Sequence, residues 1–315
     1  MDGVCSPQGI KNLKESGTCL SRESLIRLAN AWNKSHPDKK ISHVATKTKK
    51  ALWKDINIRM HPVCGKGVEA EACWVDSLKA GGKDIKDSFM PEMPLEWKKD
   101  SHAWLTNWDI ENVMNQYKDE KSYHYEFLGV FPIDFGLEDA FGTCLYKEMC
   151  TVDLAKLRKK GIQYMGAIFN LDKHNQGGSH WTSLFITIDN TLPSYGAYYS
   201  DSVGREPPNE IKAFMGQLAA QAKVDKYPFQ QTYNKLRQQY GNTECGMFSM
   251  AYQIRWLELL KKNSNTVFEK IVKRKMKDDD VHALRYALFR QGTKSEAPIH
   301  KKRVQEAKKL LFASN

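Results

Sequence analysis

Apolar residues recur at helical spacing near the start of the chain, on one face of a predicted helix over residues 23–33. This face consists of Leu25, Leu28, Ala29 and Trp32. Ser21 stands just before the segment, where a side chain that caps a helix N-terminus is expected. A second helix is predicted over 51–60. Together these segments predict a small, mostly helical N-terminal module over residues 1–94, which ends in a Gly-, Lys- and Pro-rich linker over 80–94.

From residue 95 the pattern changes to short apolar runs that alternate with helical segments. Strands are predicted over 127–135, 164–170, 181–189 and 197–201. Helices are predicted over 107–117, 208–222 and 245–260, and the last has the length and spacing of a buried helix. The expected core anchors of the first of these helices are Trp108, Val113 and Tyr117. This order predicts an α/β (α+β) core over 95–290, with a mixed central sheet flanked by helices, and a basic C-terminal tail over 291–315.

The composition is that of a globular protein, since 41% of the 315 residues are hydrophobic. No apolar run approaches the roughly 20 residues that span a bilayer. The first residues lack the basic and apolar regions of a signal peptide. We therefore expect a soluble protein that is made in the cytosol and has no membrane span.

A formal net charge of +11 predicts an attraction to polyanions, such as nucleic acid, acidic partners or an anionic membrane face. Simple solubility is the alternative explanation of this charge. The sequence contains no motif that reads nucleic-acid bases. Any binding to DNA is therefore expected to be non-specific and to involve the phosphate backbone alone.

Seven cysteines, an odd number, occur in the chain and form no CxxC pair. Because no signal peptide is present, we expect reduced thiols rather than a disulfide framework. The spacing of the four N-terminal cysteines and His61 fits no zinc-finger pattern, so neither a metal site nor a cofactor is predicted. All cysteines except Cys245 are interpreted as small buried hydrophobic residues.

Cys245 begins a predicted buried helix, where unpaired N–H groups and a partial positive charge favour a thiolate nucleophile. His180 precedes one strand and could serve as the base, and Asp201 follows the next strand and could orient the imidazole. The side-chain amide of Gln239 could donate to an oxyanion. Alone, each has a more ordinary role, such as a capping histidine, a turn aspartate, an exposed glutamine or an inert core cysteine. Their placement together predicts a cysteine protease.

Two strings of residues resemble those of the cysteine proteases that process SUMO and other ubiquitin-like proteins, the Ulp1/adenain-like clan. They are the Gly-x-His-Trp string that ends at Trp181 and the Gln-x3-Thr-Glu-Cys-Gly string that ends at Gly246. The same strings are similar to those of the polyprotein-processing proteases of large cytoplasmic DNA viruses, typified by that of African swine fever virus. That viral protease has Asn at the acid position, whereas Asp201 here is similar to the SUMO proteases. The resemblance is dense in motifs over about 100–290 and weaker over 1–94.

The resemblance implies that His180, Asp201 and Cys245 form a catalytic triad. It implies that Gln239 and the backbone N–H of Cys245 line an oxyanion hole. Cleavage after Gly-Gly or Gly-x-Gly is also implied, because the roof of a narrow substrate tunnel in these proteases corresponds to Trp181. The other residues predicted to bind substrate are Gly246, Trp108 and Asn242.

Three functions are compatible with these features. The first is a viral endopeptidase that matures virion polyproteins or other structural precursors, in the host cytoplasm (the viral factory) and in the virion. The second is an isopeptidase that removes SUMO- or ubiquitin-like modifiers. The third is a basic virion or DNA-packaging protein with an inactive site, or an acetyltransferase of the same clan. The presence of all four site residues argues against an inactive site, so we favour the first.

Overall fold

The computed structural model describes residues 4–222, 227–261, 268, 270–271, 276–290 and 301–312. The chain divides into two compact units, Met1–Met93 with Tyr286–Pro298 and Pro94–Arg285 with Ile299–Asn315. Within the described parts of the chain, no helix is both long enough and apolar enough to cross a membrane.

The first unit is helical. Its helices are α1 (Pro7–Ser16), α2 (Arg22–Ser35), α3 (Lys49–Cys64), α4 (Glu71–Ser77) and α5 (Lys83–Lys86), with 3-10 turns at Pro37–Lys39 and Val68–Ala70. Ser21 caps α2, since its hydroxyl accepts a hydrogen bond from the Ser24 N–H at 3.0 Å. The apolar face predicted for this helix is buried in the core of the unit, together with Trp74.

The segment 80–94 was predicted to be a linker, and this prediction is wrong. It contains α5, and its apolar residues Ile85, Phe89 and Met90 are buried. The Met90 N–H donates to the Val4 carbonyl at 2.9 Å, which joins this segment to the start of the chain. The abundance of Gly, Lys and Pro masked these few apolar side chains, which are enough to pack the segment.

Six of the seven cysteines form disulfides, so the expectation of reduced thiols is wrong for them. The pairs are Cys5–Cys19, Cys64–Cys73 and Cys144–Cys150. Their Cα–Cα distances of 5.4, 5.6 and 6.4 Å lie within the range that a disulfide spans. Cys245 is a free, buried cysteine. The odd number of cysteines therefore consists of three pairs and one free thiol.

The second unit contains a mixed sheet, as the sequence predicted, but with five strands rather than the four that were predicted. Its strands are β1 (Tyr125–Pro132), β2 (Tyr164–Asn170), β3 (Trp181–Thr187), β4 (Gly196–Ser200) and β5 (Gln230–Tyr233), adjacent in that order. The central pairs β2–β3 and β3–β4 are antiparallel, and the outer pairs β1–β2 and β4–β5 are parallel. The edge strand β5 was not predicted, because its residues are polar and partly exposed and carry no apolar alternation.

The remaining helices of the chain are α6 (Asn107–Asp119), α7 (Lys147–Cys150), α8 (Leu154–Lys159), α9 (Asn209–Gln221), α10 (Cys245–Leu260), α11 (Asp278–Leu288) and α12 (Lys301–Phe312), with 3-10 turns at Leu95–Lys98 and Lys121–Tyr123. In α6, Val113 and Tyr117 are buried as expected, but Trp108 is 74% exposed. The prediction of Trp108 as a core anchor is wrong. Nine residues separate it from Tyr117, which at 3.6 residues per turn places the two on opposite faces.

Helix α10 packs on the centre of the sheet, and Gln253 fixes its position. The amide of this buried side chain donates to the Leu184 carbonyl at 2.9 Å and the Ser183 hydroxyl at 2.8 Å, and its oxygen accepts from the Tyr125 hydroxyl at 2.9 Å. Only glycine fits at position 166, because a Cβ there would lie 2.1 Å from this amide oxygen. The contacts determine where the first residue of α10, Cys245, lies over the sheet.

Candidate active site

His180 lies immediately before β3, and its side chain is paired with that of Asp201. The Leu171 N–H donates to the His180 carbonyl at 2.9 Å, which fixes the backbone where β2 and β3 are joined. The distance from His180 Nε2 to Asp201 Oδ1 is 2.7 Å, and Asp201 is fully buried. Because Nε2 is occupied by this carboxylate, Nδ1 is the ring nitrogen that remains for a second partner.

Asp201 follows β4 and is held by Asn234, the residue after β5. The Asp201 N–H donates to Asn234 Oδ1 at 2.8 Å, and Asn234 Nδ2 donates to the Asp201 carbonyl at 2.8 Å. The Val203 N–H also donates to Asp201 Oδ1, at 3.0 Å. Asn234 therefore fixes the backbone of Asp201 between the ends of two neighbouring strands, and the Val203 N–H and His180 hold its carboxylate. Sequence analysis missed Asn234, because no strand was recognised before it.

Cys245 is the first residue of α10 and is 2% exposed. Helix α10 has no side-chain hydrogen bond at its N-cap residue. Its first N–H groups and the helix dipole therefore remain available to stabilise an anion at this end. Asp201 and Cys245 both raise the pKa of His180, so the imidazole interacts with the thiol as well as with the carboxylate.

The pKa of His180 is raised to about 9. Burial of the ring lowers this pKa, but the hydrogen bonds and charge interactions with Asp201 and Cys245 outweigh burial. The imidazolium form is therefore the stable one at neutral pH. A cationic ring between a carboxylate and a thiol is the arrangement in which a thiolate is stabilised by charge.

Gln239 lies in the loop that leads to Cys245, and both ends of its side-chain amide are held. The Ser202 hydroxyl donates to its Oε1 at 2.6 Å, and its Nε2 donates to the Gly241 carbonyl at 2.9 Å. The Gln239 N–H donates to the Ser202 carbonyl at 2.9 Å, next to Asp201. The second Nε2–H is left for another acceptor. Ser202, which follows Asp201 in the chain and was assigned no role from the sequence, thus links Asp201 to Gln239.

The neighbouring Gln238 has a different environment. Its Oε1 accepts from the Met276 N–H at 3.3 Å, so its side chain is directed to another part of the unit. From the sequence, Gln239 was preferred to Gln238 only because of its position in the chain relative to Cys245. Their different hydrogen bonds now distinguish the two glutamines in the structure.

Trp181 and Leu105 enclose Gly246, the residue after Cys245. A Cβ at position 246 would lie 3.2 Å from Trp181 Cδ1 and 3.0 Å from Leu105 Cδ1. Leu105 is buried and was not predicted from the sequence. By contrast, Asn242 and Trp108, which were predicted to bind substrate, are exposed. Their contribution to substrate binding stays a prediction.

Known proteins with similar sequences and structures share this arrangement of elements. Residues 152–291, which include His180, Asp201, Gln239 and Cys245, match the Ulp1 protease family, C-terminal catalytic domain. The matched residues therefore resemble a Ulp1-family protease domain. A protein of Acanthamoeba polyphaga mimivirus that is named as a thiol protease is 28% identical over 304 residues, which cover 91% of this chain and 93% of the mimivirus protein.

Two crystal structures of the African swine fever virus protease have the same fold. One superposes with a TM-score of 0.57 at 17% identity and covers 87% of this chain and 92% of the viral one. The other gives a TM-score of 0.53 at 18% identity and covers 92% and 96%. The crystal structures show the fold, and the family match and the mimivirus relative together indicate that the chain is a cysteine protease, with a helical region at its N-terminus.

Proposed function

We propose that this Ulp1-family protease is an endopeptidase that cleaves viral polyproteins or structural precursors after Gly-Gly or Gly-x-Gly. The observation that supports it most strongly is the series Asp201, His180 and Cys245, with Trp181 packed beside the residue that follows the thiol. A viral substrate is inferred from the mimivirus and African swine fever virus proteins, which are its relatives in sequence and in fold.

In the proposed mechanism, Cys245 Sγ attacks the carbonyl carbon of the scissile bond as a thiolate. The negative charge moves to the carbonyl oxygen, where the Cys245 N–H and the free Nε2–H of Gln239 donate hydrogen bonds. His180 Nδ1 gives its proton to the leaving amine as the C–N bond breaks, and an acyl-enzyme remains on Sγ. A water molecule then gives a proton to neutral His180 as its oxygen attacks the acyl carbon, which releases the carboxylic acid and regenerates the thiolate and the imidazolium.

Selectivity for glycine follows from the space around the thiol. A Cβ at Gly246 would lie 3.0 Å from Leu105 and 3.2 Å from Trp181, closer than ordinary van der Waals contact, and Cys245 itself is almost completely buried. In this proposal, a substrate chain that reaches Sγ passes the same side chains. Glycine at the cleavage site is favoured because overpacking by one methyl group costs about 1–3 kcal/mol.

A pair of peptides tests this selectivity. Replacing the glycine before the scissile bond with alanine is expected to lower kcat/KM roughly 10- to 100-fold, since about 1.4 kcal/mol corresponds to a factor of ten. Leu105→Ala should reduce this preference for glycine, because it widens the space between Leu105 and Trp181 and leaves Cys245 unchanged. Equal cleavage of both peptides by the wild-type enzyme would refute glycine selectivity.

A second pair of substrates distinguishes an endopeptidase from an isopeptidase. The enzyme is given a linear Gly-Gly-x peptide and a Gly-Gly chain joined to a lysine side chain, at equal concentration. We expect the linear peptide to be the better substrate. Preferential release of the lysine conjugate would favour removal of ubiquitin-like modifiers instead.

Gln239→Ala is expected to lower kcat by about 10²-fold with little change in KM, because one oxyanion donor is lost. Steady-state kinetics on a Gly-Gly peptide measure both constants. Gln238→Ala is the matched control, since it removes the adjacent amide, which bonds elsewhere. Equal losses in the two variants, or a loss confined to KM, would contradict the assigned role.

The rate should decrease as the pH rises through about 9, the raised pKa of His180. Below that pH the ring carries the proton that the leaving amine needs, and above it the ring is neutral. Asp201→Asn removes the carboxylate that raises this pKa, so its alkaline limb should move to lower pH, and its activity should fall less than that of His180→Ala. The pH profile of kcat/KM measures the alkaline limb of each enzyme. If the alkaline limb of Asp201→Asn lay at the same pH as that of the wild type, this account would be contradicted.

We also propose that the protease binds duplex DNA without sequence preference and acts in the host cytoplasm and in virions. The net charge of +11 and the exposed lysines of α3, Lys50 and Lys54, support an electrostatic contact. Fluorescence anisotropy with a labelled duplex should give an affinity that falls linearly with salt on a double-logarithmic plot, and less steeply for Lys50→Glu with Lys54→Glu. Salt-independent binding would refute the electrostatic contact with DNA.

The proposed location is tested separately. Absence of the protease from purified virus particles would refute its presence in virions.

A further inference from the structure

Three side chains outside the proposed triad converge on one point next to the nucleophile. Glu244, the residue before Cys245, is buried, and its Oε1 lies 3.0 Å from His282 Nδ1 and 3.5 Å from His102 Nδ1. One potential ligand atom from each side chain lies within 4.8 Å of the others. The two imidazole rings stack with their centroids 4.1 Å apart. Two imidazoles and a carboxylate therefore face one another at a single oxygen.

Arg285 binds the carboxylate of Glu244 on the side away from the two histidines. Its Nε donates to the other oxygen of Glu244, Oε2, at 3.0 Å, and its Nη1 donates to the Ala103 carbonyl at 2.7 Å. This fixes the plane of the carboxylate and directs Oε1 towards the histidines. An outer hydrogen bond of this kind is typical of carboxylates that bind metals.

The spacing fits a tetrahedral transition metal. Ligand atoms at about 2.0–2.1 Å from a tetrahedral zinc ion lie about 3.4 Å from one another. The two histidine–carboxylate separations of 3.0 and 3.5 Å lie on either side of this value, and all three ligand atoms lie within 4.8 Å of one another. Two histidines and one carboxylate are also a ligand set that zinc uses, whereas Mg²⁺ and Ca²⁺ prefer oxygen ligands alone.

We propose that His102, Glu244 and His282 bind a divalent transition metal, with zinc as the best fit, and that a water molecule completes the coordination. This site was not predicted from the sequence, because its three residues come from distant segments without a motif. The positive charge of Arg285 opposes a cation, and only three ligands are protein atoms. The affinity should therefore be lower than that of closed four-ligand structural sites.

A bound metal would crosslink the segment before α6, through His102, to the start of α10, through Glu244. His102 is three residues before Leu105, which lies against Gly246, and Glu244 is bonded directly to Cys245. Crosslinking these segments restricts the part of the chain that encloses the thiol. Zinc is therefore expected to raise the Tm of the folded protein, since it binds the folded state selectively.

Isothermal titration of full-length protein with zinc tests the site, in a background of Cys245→Ser and His180→Ala. These changes remove the thiol and imidazole of the proposed triad, which could bind zinc themselves. We expect one zinc ion per chain. His102→Ala and His282→Ala should each weaken binding at least about 10-fold, because loss of even an outer-shell partner typically costs 10- to 100-fold. His102 is 57% exposed, so its removal should not disturb folding, which circular dichroism checks.

His174→Ala is the matched control. His174 Nδ1 contacts Asp134 Oδ2 at 2.6 Å, so this variant loses a similar histidine–carboxylate pair. Among the residues that the structure describes, this pair is not part of a group of three potential metal ligands. Zinc binding and the zinc-dependent rise in Tm should be unchanged in it. The tetrahedral absorption bands of Co²⁺ should appear in the parent and His174→Ala proteins but not in His102→Ala. Absence of stoichiometric binding, or binding that His102→Ala and His282→Ala leave unaltered, would overturn the proposal.

Discussion

Cys245→Ala is expected to lower kcat/KM by about 10³-fold or more, because no acyl-enzyme can form without the thiolate. The change removes a single sulfur atom, so the free energy of unfolding should decrease by about 1 kcal/mol or less. Peptide cleavage and denaturant unfolding of the same preparation measure the two effects. The account requires a large catalytic loss in a protein that remains folded.

Ser249→Ala provides the control for this variant. Ser249 lies about one turn further along α10 and is similarly buried, so its truncation changes the same helix without removing a residue of the proposed triad. Its activity should stay within a few-fold of the wild type. If Cys245→Ala kept wild-type turnover, or if Ser249→Ala lost as much activity, the assignment of the nucleophile would be wrong.

His180→Ala should be nearly as damaging, with a loss of about 10³-fold, because the thiolate loses its cationic partner and the leaving amine loses its proton donor. The loss should appear mainly in kcat, since His180 is not proposed to hold the substrate. His174→Ala is a suitable comparison, because it removes another histidine paired with a carboxylate. Similar kinetics of the two variants would show that the effect is not specific to His180.

Much of the catalytic unit could be predicted from local patterns. The bounds of α10 are those predicted, because Cys245–Leu260 is a continuous apolar helix. The antiparallel pair β2–β3 also follows from two apolar runs that are separated by a Gly-containing loop. The polar strand β5 had no such signal, although the Asn234 that follows it holds Asp201.

The cysteines show where sequence reasoning failed. The first residues were taken to indicate reduced thiols, but the fold brings six of the cysteines together as three disulfide-bonded pairs. Cys5–Cys19 and Cys64–Cys73 pair residues within the first unit, and Cys144–Cys150 closes a loop of the second. The remaining odd cysteine is Cys245, so the count itself was consistent with one reactive thiol.

Contacts between distant segments were also beyond the sequence. Leu105 lies well over a hundred residues from Gly246 in the chain, yet the two are in contact. The cluster of His102, Glu244 and His282 likewise has no spacing that a motif could describe. Such contacts depend on how loops pack against α10, and no local periodicity encodes them.

The most direct test of the central claim is to trap the nucleophile with a Gly-Gly peptide that ends in a vinyl sulfone. Attack by a thiolate forms a stable thioether, and mass spectrometry of the intact and digested protein locates it. We expect one adduct per chain, at Cys245, with little or no adduct in His180→Ala and none in Cys245→Ala. An adduct at another residue, or cleavage that continues at the wild-type rate after Cys245 is fully modified, would contradict the account.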